Sequence, residues 1–156
     1  ATPSQFDLLQ ALRAVVSDRT AETIEFLKRD ILNLAMRNTD NHARNTAVQQ
    51  IGAGVRLTPL FDFAPMYLDP DGIPRAARWY HPDTQNELQD WTTILATIGM
   101  TDVERQQVRL ALYGFAQQLT ALEQHMQEAG VDDDIIAFLR PHIAGQIEQL
   151  KALGEH

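Results

Sequence analysis

The sequence has 156 residues, enough for one domain with its own hydrophobic core, and its 44% hydrophobic and 22% charged residues argue against disorder and fibrous repeats. Its 21 acidic and 13 basic residues give a net charge of -8, which disfavours direct binding to nucleic acid or anionic lipid because like charges repel. It contains no cysteine, which excludes disulfides, thiol nucleophiles and cysteine zinc sites.

Two amphipathic helices are predicted at the start of the chain. Thr2 or Ser4 can cap the first helix. Its apolar residues recur at helical spacing and are Phe6, Leu9, Leu12 and Val16. The second helix is predicted to begin near Thr20 and to extend to about Arg37. Its apolar stripe consists of Ile24, Leu27, Ile31 and Leu34, and charged residues occupy the opposite face.

A β-hairpin and a long loop are predicted after these helices. Residues 38–45 contain no apolar side chain larger than alanine, and their residue types favour loops and caps. Residues 46–51 and 55–58 flank the short turn Gly52-Ala53-Gly54, which predicts the hairpin. Residues 64–87 contain four prolines and no sustained periodicity, so we expect a long loop of the kind that is functional or mobile.

The C-terminal half is predicted to be helical. Its helices are expected over residues 87–98, 101–129 and 133–153. Thr101 and Glu104 have the spacing of a capping box at the start of the second of these helices. Pro141 must kink the last helix or start a new one. The order of elements predicts a mainly α fold with a small β-hairpin.

The polar segment before the hairpin and the residues after it carry a pattern typical of phosphoryl transfer. Asp40 and Asn45 have the spacing Asp-x-x-x-x-Asn of the kinase catalytic loop, in which the Asp deprotonates the acceptor hydroxyl and the Asn binds a metal ion. Asp62-Phe63-Ala64 stands one hairpin later, where kinases have Asp-Phe-Gly. Because magnesium prefers hard oxygen ligands, an Asp and an Asn can supply part of its shell.

Residues 38–45 and 57–62 resemble the C-terminal part of the HipA-like serine/threonine kinases of bacterial toxin–antitoxin systems. The pattern of that family is roughly Asn-x-Asp-x-His-x-Lys-Asn, followed after a hairpin by Leu-Thr-Pro-x-Tyr-Asp. Arg44 replaces the usual Lys, and Phe61 replaces the usual Tyr. The resemblance is strongest over residues 31–67 and implies the helical C-lobe of a protein-kinase-like fold.

The resemblance implies a role for each residue of the pattern. Asp40 is the expected catalytic base, Asn45 and Asp62 are the expected magnesium ligands at the ATP site, and His42 is expected to brace the loop beside that cofactor site. The implied reaction transfers the ATP γ-phosphate, with Mg2+, to a serine or threonine hydroxyl of a protein substrate. We expect the carboxylates of Asp40 and Asp62 to face one polar cleft, with Asn45 between them.

Residues 1–156 are predicted to form a C-lobe without the N-lobe that completes a nucleotide site. The sequence has two lysines, Lys28 and Lys151, and neither lies on a predicted strand. The glycines at 52 and 54 lack the spacing of a phosphate-covering loop and are better interpreted as a turn. The isolated chain is therefore expected to be inactive and to bind no magnesium unless nucleotide is present.

The family implies a helix-turn-helix antitoxin partner, which binds DNA on behalf of the complex. The N-terminal residues show no signal peptide and no stretch reaches 18 apolar residues, so we expect a cytoplasmic protein that does not associate with membranes. Two alternatives remain open. One is a non-catalytic helical domain that docks an antitoxin or a separate N-lobe, and the other is a small-molecule phosphotransferase.

Overall fold

The computed structural model describes residues 4–37, 48–51, 54–57 and 78–155 of the chain. The helices in these ranges are α1 (Gln5–Val15), α2 (Arg19–Ala35), α3 (Trp91–Thr97), α4 (Asp102–Thr120), α5 (Leu122–Glu128) and α6 (Asp133–Ala152), and a 3₁₀ turn follows at Leu153–Glu155. The strands are β1 (Val48–Ile51) and β2 (Gly54–Leu57). The mainly α fold predicted from the sequence is confirmed. Over the described residues, every helix is too short or too polar to cross a membrane.

The two N-terminal helices form as the sequence predicts. Ser4 caps α1 and forms a capping box with Asp7, in which each side chain bonds the backbone N–H of the other. Asp18 caps α2, and its carboxylate accepts a hydrogen bond from the Ala21 N–H at 3.0 Å. Helix α2 ends at Ala35, two residues before the predicted end, because Arg37 adopts a left-handed conformation with φ 55°.

The two strands pair in an antiparallel ladder. Val48 lies opposite Leu57, and Ile51 lies opposite Gly54. Strand β2 lies against α2. Residues 52 and 53, the start of the predicted turn, lie outside the described residues.

The prediction for the start of α3 is wrong. The helix begins at Trp91 rather than at residue 87, and Asp90 caps it by accepting a hydrogen bond from the Thr93 N–H at 2.8 Å. Glu87 instead pairs with Tyr80 in an isolated antiparallel bridge. The backbone before α3 is therefore paired with residues 79 and 80, which a helical pattern does not reveal.

The long helix predicted over residues 101–129 is divided in two. Helix α4 ends at Thr120, Ala121 forms a turn, and α5 follows and closes at Gly130, whose φ of 83° suits glycine. Thr101 caps α4, since its hydroxyl accepts from the Glu104 N–H at 3.1 Å, which is one half of the predicted capping box. Pro141 lies within a continuous α6 and starts no new helix.

The apolar core has two parts. The larger one joins α1, α2, α3, α4 and the end of α6 around two buried tryptophans, Trp79 and Trp91, each 1% exposed. The Trp79 ring meets three other rings edge to face, with centroid distances of 4.8 Å to Phe6, 6.2 Å to Phe26 and 6.1 Å to Trp91. The smaller part joins the end of α2 to α5 and α6 and consists of Ala35, Met126, Ile136, Leu139 and Ile143.

Candidate functional site

The residues predicted to carry the chemistry, Asp40, His42, Asn45 and Asp62, all lie outside the described residues. The cleft expected between Asp40 and Asp62 therefore stays a prediction. The described residues border both segments that hold these side chains. Three structures form this border: the end of α2, the strand ladder and the segment of residues 78–88 before α3.

The end of α2 is held firmly where the chain passes into residues 38–47. Ala35 is fully buried in the smaller core, against side chains of α5 and α6. The Met36 N–H donates to the Leu32 carbonyl at 2.8 Å and closes the last turn. Arg37 then adopts its left-handed conformation, which costs about 1 kcal/mol for a residue with a Cβ. Packing and backbone conformation together set the direction in which the chain leaves the helix.

His142 on α6 is electrostatically coupled to this end of α2. Burial lowers the pKa of His142, and the positive charge of Arg37 lowers it further. The imidazole also contacts the Phe138 ring, at a centroid distance of 5.6 Å. The neutral form of His142 is therefore favoured, which avoids a second positive charge beside Arg37.

The first residue of the strand ladder lies beside its last residue. Because Val48 is the first residue of β1 and pairs with Leu57, the last residue of β2, the chain enters and leaves the ladder side by side. In the sequence, the segment that contains Asn45 precedes Val48, and the segment that contains Asp62 follows Leu57. The register is thus compatible with a shared site.

Residues 78–88 have a defined fold, although they belong to the end of the predicted long loop. The Gln5 N–H donates to the Arg78 carbonyl at 2.7 Å, and the Leu88 N–H donates to the Trp79 carbonyl at 2.7 Å. The Tyr80 N–H donates to the Ser4 hydroxyl at 3.1 Å. The bonds with Gln5 and Ser4 attach the segment to the start of α1, and the bond from Leu88 to Trp79 joins the two ends of the segment. Residues 64–77 of the predicted loop lie outside the described residues.

A buried carboxylate on α2 connects this segment to the helix. Asp30 is 2% exposed. Its Oδ2 accepts a hydrogen bond from the Trp79 indole N–H at 2.7 Å, and its Oδ1 accepts one from the Gln5 side-chain amide at 3.0 Å. Both bonds join Asp30 to residues far along the sequence, so they fix tertiary structure rather than the helix itself.

Sequence reasoning missed Asp30. The only available signal was its position, since residue 30 lies beside Leu27 and Ile31 on the apolar side of an amphipathic helix. A charged residue at such a position requires a buried partner. The partner residues could not be named, because they are 25 and 49 positions away in the sequence.

A second polar cluster connects α1 and α2 to α4. The Glu104 carboxylate accepts two hydrogen bonds from the Arg13 guanidinium, at 2.7 and 3.0 Å, and one from the Thr20 hydroxyl at 3.0 Å. The hydrogen bond from Arg13 lowers the pKa of Glu104. Glu104 thus joins helices instead of completing the predicted capping box. Within the described ranges, His, Asp and Glu side chains form no group of three able to hold a metal ion.

The chain is similar to known proteins in both sequence and fold. A model of the family described as HipA-like C-terminal domain matches residues 3–132. A chain from the complex of HipA, HipB and operator DNA of the toxin–antitoxin system of Shewanella oneidensis MR-1 has a similar fold, with a TM-score of 0.59 and 19% sequence identity. The similarity covers 96% of this chain and 35% of that one. A search of curated proteins finds no match.

The family match confirms the resemblance noted in residues 38–45 and 57–62. The matched residues, 3–132, make up most of the sequence and include all the predicted site residues. The solved structure supports the fold alone, since its sequence identity of 19% is low. On the family match, the chain belongs to the family of HipA-like C-terminal domains.

Proposed function

We propose that this chain is the catalytic C-lobe of a HipA-like protein kinase that phosphorylates serine or threonine. The observation that carries the proposal is the family match over residues 3–132, because it spans Asp40, Asn45 and Asp62 in the spacing used by kinases. The ladder register supports it, since both segments that hold these residues meet the strands at one end.

The proposed role of Asp40 is to orient the substrate hydroxyl and accept its proton. As the hydroxyl oxygen bonds to the γ-phosphorus of ATP, the bond between that phosphorus and the bridging oxygen of ADP breaks. The electron pair of the broken bond stays on ADP, and the proton of the hydroxyl passes to the Asp40 carboxylate. Little covalent chemistry is required of the protein, so positioning and charge dominate the rate.

Asn45 and Asp62 are the residues that would hold magnesium. An amide oxygen and a carboxylate fit this ion, which prefers oxygen ligands and takes the rest of its shell from phosphates and water. When bound, magnesium neutralises negative charge on the transferred phosphate. His42 lies between Asp40 and Asn45 in the sequence, and its proposed role is to brace the loop.

The remaining parts of the proposal concern the whole protein. This chain spans 35% of the solved relative, so we propose that an N-lobe completes the ATP site. That relative was solved with HipB and operator DNA, which supports an antitoxin partner for this protein. The net charge of -8 favours contact with DNA through the antitoxin rather than through this chain. The proposed biological role is the toxin of a toxin–antitoxin pair.

The proposal is tested with Asp40→Ala in the intact protein. We expect phosphate transfer to a protein substrate or to the protein itself to fall about a hundredfold or more, because the base is lost. The measurement is incorporation of labelled phosphate from ATP. Asp134→Ala is the control, since it removes an exposed aspartate at the start of α6 and should leave the rate unchanged.

Three outcomes contradict the proposal. Full activity in Asp40→Ala excludes this residue as the base. An intact wild-type protein that binds an antitoxin but transfers no phosphate is the non-catalytic interaction domain instead. Transfer to a small-molecule hydroxyl, with none to protein, identifies a small-molecule phosphotransferase.

A further inference from the structure

An open groove lies between α4, the end of α6 and the 3₁₀ turn that follows α6, and its volume is about 640 Å³. All of its lining residues belong to the part of the chain that the structure describes. Those that bear on its chemistry are Tyr113, Gly114, Gln117 and Thr120 of α4, Lys151 of α6 and Gly154 of the turn.

The groove is formed by firm packing of the C-terminal turn against α4. Leu153 is 1% exposed and belongs to the larger core. Its carbonyl accepts a hydrogen bond from the Arg109 guanidinium at 2.5 Å. Gly154 then approaches the Tyr113 ring so closely that a Cβ would collide with it. The Tyr113 ring therefore rests on the turn and forms one wall of the groove.

Lys151 is the one charged residue among those that line the groove. It is exposed, and within the described ranges it forms no ion pair, although Glu148 lies three residues before it on α6. Five arginines of the same ranges, in contrast, are paired with a carboxylate. The groove is therefore a local site of positive charge in a chain whose net charge is -8.

Neutral hydrogen-bonding groups lie beside this charge. The Gln117 amide and the Tyr113 hydroxyl form no hydrogen bond with any other described residue. The Thr120 hydroxyl donates to the Ala116 carbonyl at 2.9 Å, which leaves its oxygen able to accept. Gly114 has no atom within 4 Å of its Cβ position, so its side of the groove stays open. An ammonium, an amide and a phenol can together hold a carboxylate.

Apolar surface adjoins the groove on α4. Leu110 precedes Tyr113 by about one helical turn, and the two residues are 52% and 46% exposed. A ligand that contacts both this surface and Lys151 combines a carboxylate with an aliphatic side chain.

Three other occupants fit the groove less well. Nucleic acid is bound through several cations, and the groove has one. Small ligands are bound in pockets that enclose most of their surface, whereas Tyr113, Gln117 and Lys151 are all exposed. A second copy of the chain would bring together two net charges of -8, which repel each other.

We propose that this groove is a docking site for a partner protein, which places a single Asp or Glu side chain beside Lys151 and an adjacent aliphatic residue against Leu110 and Tyr113. The Gln117 amide and the Tyr113 hydroxyl donate the remaining hydrogen bonds to the bound carboxylate. Docking requires neither ATP nor magnesium, so it is independent of the proposed kinase function.

The test begins with a phage-displayed library of random peptides, selected on the intact protein. We expect the enriched peptides to contain Asp or Glu next to Leu, Ile or Val. One of them is synthesised with a fluorescent label, and its Kd is measured by fluorescence anisotropy. Replacing its acidic residue with the corresponding amide should weaken binding about tenfold, because charge-assisted hydrogen bonds are lost.

Variants of the intact protein then locate the bound peptide. Lys151→Met should weaken binding about tenfold, and Lys151→Arg should restore most of it because the charge is kept. Lys28→Met is the matched control, since Lys28 is the other lysine of the chain, lies over the Phe115 ring at 5.3 Å and does not line the groove. This control should bind within about twofold of wild type, because an exposed distant charge contributes little.

A variant that fills the groove gives a second readout. Gly114→Leu adds a side chain where the Cβ position meets no other atom, so it should block the peptide. Its melting temperature should equal or exceed that of wild type, because leucine favours helix more than glycine does. Loss of binding in this variant therefore reports occupancy of the groove rather than unfolding.

The remaining outcomes overturn the proposal. They are a selection that enriches no peptide, enriched peptides without an acidic residue, and a Kd that is unchanged in both Lys151→Met and Gly114→Leu. Displacement of the labelled peptide by succinate at a concentration equal to the peptide's own Kd identifies a small-molecule site instead. A wild-type dimer in sedimentation velocity, converted to monomer by Lys151→Met and Gly114→Leu, shows that a second copy occupies the groove.

Discussion

Two regions of the larger core bury a tryptophan in different ways. Trp79 lies on an irregular segment and donates to the carboxylate of Asp30, whereas Trp91 begins a helix and donates to the neutral amide of Gln146. Around Trp91, the packed helices present periodic apolar side chains that suffice to align them. Around Trp79, the backbone has no such period. The comparison indicates that a segment without periodic apolar residues is positioned by directional polar contacts.

The two tryptophan contacts should differ most in stability when the acceptor of each hydrogen bond is removed. Asp30→Ala leaves two buried donors unsatisfied, on Trp79 and Gln5, and is expected to lower the free energy of unfolding by about 3 kcal/mol. Gln146→Ala leaves only the Trp91 donor unsatisfied and should cost about 1 kcal/mol. Urea unfolding of both variants measures the difference. Equal losses would show that the carboxylate contributes no more than the amide.

The contact between Arg13 on α1 and Glu104 on α4 has a smaller expected effect, which depends on pH. Because the Arg13 hydrogen bond lowers the folded-state pKa of Glu104 below its unfolded value, this contribution is complete above the unfolded pKa and is lost as pH falls through the folded pKa. We expect Glu104→Gln to cost about 2 kcal/mol at neutral pH. Unfolding measured between neutral and acidic pH should show a shallower decline in this variant than in wild type. A decline as steep as that of wild type would contradict the assignment.

The smallest expected effect tests how tightly the C-terminal helices pack. A Cβ at Gly154 would collide with the Tyr113 ring, so Gly154→Ala is expected to lower stability by about 1 kcal/mol. Gly114 lies on the exposed side of α4 with no atom near its Cβ position, so Gly114→Ala should raise stability by about 0.5 kcal/mol. Thermal unfolding distinguishes the two signs. A gain in both variants would show that Tyr113 moves aside freely.

Local patterns in the sequence predicted the N-terminal helices well. The cap at Ser4 and the buried stripe through Leu27 and Ile31 both follow from residue type and helical spacing. The start of α3 could not be predicted, because residues 87 and 88 bond to the backbone of residues 79 and 80. The break at Ala121 was also missed, since no glycine or proline marks it in the sequence.

The candidate site was predicted from a different kind of sequence signal than the helices were. The kinase pattern of Asp40, Asn45 and Asp62 depends on short spacings and on residue types, so it is readable without a fold. Asp30 had no such pattern, because its bonds with Gln5 and Trp79 depend on the tertiary structure. Family membership was therefore accessible from sequence, whereas the contacts of Asp30 were not.

By itself, the sequence determined the mainly helical character of the chain and its membership of the HipA-like C-terminal domains. Both depend on residue types at short spacings, which local backbone preference and side-chain periodicity control. The tertiary structure alone decided that Asp30 bonds Gln5 and Trp79, 25 and 49 residues away. The physical reason is that a buried carboxylate must find donors wherever the packed chain brings them, and periodicity carries no information about contacts at that separation.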